Sequence, residues 1–160
     1  MEQSFFFIYN PVMKLEPLFT VKDHNLYQLS DNKQINPSDL TVIDVKWSEV
    51  EMEEEIYNES FLAELRDKLK IMDLTGKFAI INAIADKPMD SAEAFTNAFN
   101  HTARRIKDCI SVAGIQLPEE LTSKGEDAVQ EFIDVLSIKH AQYVYFSKSQ
   151  NIQNSQVVIY

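Results

Sequence analysis

The stretch Lys77 to Asp86, KFAIINAIAD, is apolar at nearly every position, follows Gly76 and is stopped by Lys87-Pro88. A run of this length between a helix C-terminal glycine and a proline reads as a strand covered on both faces. Such a strand calls for helices above and below it, and helical patterns flank it on either side. The expectation is therefore an α/β domain: a mostly parallel sheet of βα units joined by right-handed crossovers, arranged as part of a barrel or as a flattened three-layer sheet. At 160 residues the chain reads as one domain. Residues 1–37 form an irregular segment, 40–146 the βα repeats, and 147–160 a tail ending in a strand.

In chain order, Ser4 to Tyr9 (SFFFIY) reads as a first strand and Asn25 to Leu29 as a short one before a Ser-Asp-Asn-Lys turn. Leu40 to Trp47 (LTVIDVKW) is the next strand. Five of the seven residues from Glu49 to Glu55 are glutamates. They predict a solvated acidic loop leading into a helix N-terminus, where carboxylates are favoured by the helix dipole. Asn58 caps a helix from Glu59 to Thr75. Asp90 and Glu93 have capping-box spacing for a helix from about Ser91 to Cys109. Its stripe includes Phe95, Ala98, Phe99, Thr102, Ala103 and Ile106, with Cys109 as a small core residue. His101, Arg104, Arg105 and Asp108 lie off that stripe on a solvated face, Arg104 and Asp108 being spaced to pair. Ser111 to Leu117 is a buried strand ended by Pro118, with Glu119 and Glu120 at its tip. A helix over 126–139, a strand from Gln142 to Phe146 and an edge strand from Gln156 to Tyr160 complete the pattern.

Composition narrows the function. Glycine occurs only at 76, 114 and 125. Neither GxxxxGK[ST] nor GxGxxG is present, which excludes nucleotide binding through those loops. The net charge of −10 argues against a nucleic-acid surface, despite the cluster of Arg104, Arg105 and Lys107. The lone Cys109 permits no intrachain disulfide or cysteine zinc site, and the glutamate run lacks EF-hand spacing, so no metal and no cofactor is expected. The apolar run Phe5 to Tyr9 is too short for a membrane or signal segment, which points to a cytoplasmic protein with no membrane partner. The Asn-x-Ser/Thr matches at Asn58 and Asn100 then carry no glycan.

The run from Val42 to Asp86 resembles the early part of cellulase-type glycoside hydrolase barrels. A strand ending near Trp47-Ser48, followed by Glu51 and by Tyr57-Asn58-Glu59 with Leu62, matches that family's pattern. SVAGIQLPEEL, ending at Leu121, is similar to the family's fourth strand, where Glu120 matches the acid/base glutamate. Glu119 stands in place of the family's asparagine, Leu121 in place of its proline, and Ala85-Asp86 where a histidine is usual; Lys46 lies close to a family arginine. The resemblance covers about residues 40 to 121 and implies the N-terminal half of a (β/α)₈ barrel. A whole barrel needs at least ~200 residues.

The expected function is a non-catalytic glycoside-hydrolase-like domain that binds or assembles, self-associating as a homodimer or with a completing chain. An alternative is a carbohydrate-active hydrolase with Glu120 as general acid, its proton held by Glu119 or by burial. Adjacent Glu119 and Glu120 on a continuing strand would point to opposite sides, which does not suit a retaining pair ~5–5.5 Å apart. A second alternative is a receiver-like regulatory domain using Asp44 and Lys148. A ligand such as a carbohydrate is expected at the C-terminal strand ends, on a rim of Trp47, Ser48, Asp86, Glu119, Glu120 and Lys148. Trp47 is there to stack on a sugar ring or to pack half-buried.

Overall fold

The computed structural model describes residues 14–160; the strand expected at Ser4 to Tyr9 lies outside the described residues. The first elements are three short strands, β1 (Phe19–Lys22), β2 (Asn25–Gln28) and β3 (Lys33–Ile35), paired antiparallel as a meander. Asp23 and His24 turn β1 into β2 with φ of 51° and 63°. Two successive left-handed residues make the tight hairpin turn whose twist matches its strands. This segment is therefore more regular than the single short strand its sequence predicts.

A single 3₁₀ turn, capped by Asn36, leads into β4 (Thr41–Lys46). A short helix α1 (Trp47–Val50) and a small hairpin of β5 (Glu51–Glu53) and β6 (Ile56–Tyr57) follow. Next come α2 (Glu59–Asp73), β7 (Ala79–Ile84), α3 (Glu93–Arg105) and β8 (Val112–Gln116). The chain ends with α4 (Glu119–Thr122), α5 (Glu126–Ser137), β9 (Val144–Ser147) and β10 (Val157–Ile159). The helix ends have local causes. Asn58 Oδ1 accepts from the Phe61 amide at 3.1 Å to start α2, and Gly76, with φ 74°, follows its end. Asp90 does not cap α3 as its spacing suggests; the Ser91 hydroxyl accepts from the Glu93 amide instead, at 3.3 Å.

Five strands form one parallel sheet in the order β10–β9–β8–β7–β4. Spatial order follows chain order, so crossovers of one hand carry every helix to one face. On that face Val45, Ala79, Ile81, Ala83, Ile115, Tyr145 and Val157 pack with the helical residues Leu62, Leu65, Leu69, Phe95, Phe99, Phe132 and Leu136. On the other face Ile80, Ala113, Val144, Phe146 and Val158 pack against Phe19 and Leu26, flanked by Val21 and Ile35. The expectation of helices above and below the sheet is thus corrected: one cover is helical and the other is the meander. A receiver-type sheet reverses its strand order at a switch point. This one does not, which removes the receiver alternative. The result is a partial barrel: an open sheet, singly wound, with its inner face plugged by the N-terminal hairpins.

The two edges of the sheet differ. At β10, the Ile159 amide donates to the His24 carbonyl at 3.0 Å, and His24 Nδ1 donates to the Val157 carbonyl at 2.8 Å. The turn of the meander therefore covers that edge. At the other end, among the described residues, β4 pairs with β7 alone.

Gly114 lies where the β7–β8 register shifts, and a Cβ there would fall 1.7 Å from the Val144 carbonyl oxygen. Only glycine permits this approach of β8 to β9.

Leu26 is 0% exposed and belongs to the meander's contact with the sheet. Leu26→Ala is expected to cost ~2–5 kcal/mol of unfolding free energy. A urea titration that returns the wild-type midpoint would show that the meander does not hold the sheet.

Candidate ligand-binding rim

Because the strands of the sheet are parallel, their C-terminal ends share one edge of the molecule. β4 delivers Trp47 and Ser48 to it, β7 delivers Asp86 and Lys87, β8 leads to Glu119 and Glu120, and β9 is followed by Lys148.

Trp47 is buried at 4% exposure. Its indole packs edge-on against Phe95, with ring centroids 5.4 Å apart, and Lys87 Nζ lies 5.1 Å from its ring centre. The indole Nε1 donates to Glu51 Oε1 at 2.8 Å. The ring is a packing element, and its faces are not offered to a sugar.

Glu51 corrects the reading of the acidic run as a solvated loop. It is 4% exposed, and its second oxygen accepts from the Glu55 amide at 2.8 Å. Lys87 Nζ donates to the Glu51 carbonyl at 2.6 Å and stands 3.6 Å from the carboxylate. The carboxylate is buried because each of its oxygens is satisfied. This clasp ties α1 and the β5–β6 hairpin to the end of β7.

Asp86 and Ser48 meet. Asp86 Oδ1 accepts from the Ser48 amide at 2.9 Å and Oδ2 from the Ser48 hydroxyl at 2.5 Å. Burial pushes the Asp86 pKa up, but the two Ser48 hydrogen bonds outweigh it, with Lys46 adding to them, and the carboxyl ends below its usual value. Asp86 thus acts as the cap of α1, supplied from β7. It is an ionised acceptor, not a proton donor.

Glu119 and Glu120 open α4, a single turn anchored by the buried Leu121. The strand does not continue through them. Both side chains are exposed, and among the described residues neither carboxylate has a hydrogen bond or ion pair. Lys148, also exposed, places Nζ 4.0 Å from the centre of the Tyr160 ring, and the Tyr160 hydroxyl donates to Gln116 Oε1. Lower on the same inner face Asn82 Nδ2 donates to Asp44 Oδ1 at 2.9 Å. The rim therefore brings together Trp47, Ser48, Asp86 and the unforeseen Glu51 and Lys87, while Glu119, Glu120 and Lys148 stand beside other strands.

Two further charge clusters join helices on the outer layer. Glu59 accepts from Arg105 Nε at 2.7 Å and contacts His101 Nε2 at 2.8 Å, and His101 stacks on Tyr57 with centroids 4.2 Å apart. Asp108 takes Arg66 at 2.6 Å and Lys70 at 3.5 Å, in place of the expected Arg104. Burial raises the Asp108 pKa, but Arg66 and Lys70 more than offset it and hold the carboxyl low. Cys109 is buried as expected, its thiol pushed up to about 11 chiefly by desolvation. Among the described residues no group of three or more His, Cys, Asp or Glu is placed to hold a metal ion, and no helix is long and apolar enough to cross a membrane.

In comparisons with solved structures the chain superposes on glycoside hydrolases. A GH5_18 from Bifidobacterium longum subsp. infantis matches with a TM-score of 0.53 at 10% identity, covering 74% of this chain and 37% of that one. The endo-glycoceramidase II from Rhodococcus sp., as its lactosyl-enzyme intermediate, gives 0.54 at 10% identity over 68% and 42%. The Pseudomonas stutzeri endoglucanase Cel5A gives 0.55 at 13% identity over 73% and 46%. The fold is that of a partial glycoside-hydrolase barrel. The chain spans less than half the length of these enzymes. No protein-family model and no curated protein sequence matches it.

Two substitutions test the rim. The Asp86 carboxyl is more acidic folded than unfolded, so the stability it contributes is present above the unfolded value of ~3.9 and is lost as pH falls through the folded one. Asp86→Ala is expected to cost about 1 kcal/mol at neutral pH, the scale of a lost helix cap at an exposed site. In urea unfolding curves that gap should close as the pH falls below about 3.9; a gap that persists in acid would show that the cap is not ionic. Glu51→Ala leaves the Trp47 indole and the Glu55 amide without their acceptor and is expected to cost ~2–3 kcal/mol. Glu51→Gln, which keeps one acceptor oxygen, should recover part of that loss in the same measurement.

Proposed function

We propose that the chain is a non-catalytic α/β module of glycoside-hydrolase-like fold that binds or assembles rather than hydrolysing. The observation that carries this reading is the state of the rim carboxylates. Asp86 and Glu51, the two held in fixed geometry, are engaged as a helix cap and as half of a buried clasp. Glu120, the residue that matches the family's acid, sits on an exposed turn beside Glu119. A glycosidase's general acid draws its proton affinity from an apolar pocket or a close like charge fixed opposite it. The inner face supports the same reading, since Phe19 and Leu26 of the meander fill the space in front of β7 to β10.

A carbohydrate ligand of such a module would meet Lys148 and the Gln116–Tyr160 pair, which remain at the surface or partly so beyond the meander. Ser48, held by Asp86, borders the same edge.

A panel of chromogenic β- and α-glycosides is expected to show no turnover above buffer, and Glu120→Gln is expected to behave as the wild type. Hydrolysis by the parent chain that Glu120→Gln abolishes would overturn the reading in favour of a hydrolase with Glu120 as acid.

A further inference from the structure

We propose that β4 is the edge at which two copies of this chain pair, antiparallel across a two-fold axis, with Asp44 of each copy facing Lys46 of the other. The proposal rests on the assembly side of the reading above.

Three observations lead to it. The first is the asymmetry of the sheet. The β10 edge is covered by His24, which engages both the Val157 carbonyl and the Ile159 amide. The β4 edge, six residues long, ends the sheet with no partner strand among the described residues. A barrel abolishes its edges by closing; an open sheet leaves a row of unpaired donors and acceptors that templates another strand.

The second is which groups that edge presents. The Thr41 amide donates to the Phe78 carbonyl, so Thr41, Ile43 and Val45 direct their backbone groups toward β7. In a strand the alternate residues face the other way, which turns the amides and carbonyls of Val42, Asp44 and Lys46 outward. Those same residues are exposed, Val42 at 49%.

The third is charge. Two-fold antiparallel pairing through these outward groups can set Val42, Asp44 or Lys46 opposite its own copy, Val42 opposite Asp44, or Asp44 opposite Lys46. Self-pairing of Asp44 or Lys46 places like charges together and the two registers that pair Val42 with itself or with Asp44 match no charges, whereas the last makes two opposite-charge pairs about the axis. Asn82 holds Oδ1 of Asp44 and leaves Oδ2 for the partner's lysine. Edge pairing through an isologous interface is self-complementary and closes at two copies.

The test is a charge swap read by light scattering over a wide concentration range, with circular dichroism confirming that each variant is folded. Wild type is expected to be a dimer. Asp44→Lys sets two lysines against each other and Lys46→Asp sets two aspartates, so each variant alone is expected to weaken the dimer at least about tenfold. Mixed together, the two variants restore both pairs and are expected to form a heterodimer. A wild type that stays monomeric at every concentration would overturn the proposal. A dimer that both variants retain, or two weakened variants that do not rescue one another, would overturn the β4 register while leaving assembly through another surface. Turnover in the glycoside panel would overturn the non-catalytic reading without touching the oligomer result, so the two failures are separable.

Discussion

Phe19 and Leu26 press against Ile80, Val144, Phe146 and Val158, and on this contact the existence of an open half-sheet depends. A parallel sheet wound in one direction has helices on one face only. In a closed barrel the opposite face is filled by residues from every strand around the ring. Here the five strands of the described residues make no ring. Their inner face would expose a band of Ile, Ala, Val and Phe side chains, the larger of which are each worth ~1.5–3 kcal/mol when buried. The meander replaces the missing wall with a few apolar residues on short strands. It also turns its Asp23-His24 corner over the last strand, so the piece that plugs the face seals one edge as well.

The parts that were legible in the sequence are those whose partners are regular. The run around Ile80 is apolar on both sides because both faces of β7 are covered, and that pattern does not depend on what covers them. The helices α2, α3 and α5 followed from period together with cap signals, because one face of each packs on the sheet. Of the meander only β2 and the turn after it were legible, for the opposite reason. Its strands are three or four residues long, with one or two core residues apiece, and its turns lack glycine at the left-handed positions. Asp23, His24 and Asn32 take those positions with φ of 51°, 63° and 58°. Nothing in a window of that length separates β1 or β3 from a loop.

The rim shows the same limit at the level of single residues. Trp47, Ser48 and Asp86 were placed correctly at strand ends, since that follows from where the strands stop. Their roles follow from partners far along the chain: Asp86 from Ser48, 38 residues away, and the Glu51 clasp from Lys87, 36 residues away. Five glutamates in seven residues look alike in sequence. One of them, Glu51, is buried because an indole N–H, an amide and an ammonium converge on it; the family pattern picks out its position but not these partners.

The positions through which the chain resembles glycoside hydrolases make structural contacts here. Trp47 packs on Phe95 and bonds Glu51; Asn58 caps α2; Glu59 ties α2 to α3 through Arg105 and His101. These contacts bind the first strand and its hairpin to the helical layer, which a closed barrel achieves by continuing the ring. In an open sheet the first unit has a neighbour on one side only, and among the described residues β4 pairs with β7 and no other strand. Polar side chains at the mouth of a barrel can be left free for a substrate because the ring holds the strands. In the open sheet of the described residues, the same side chains hold the end strand in place.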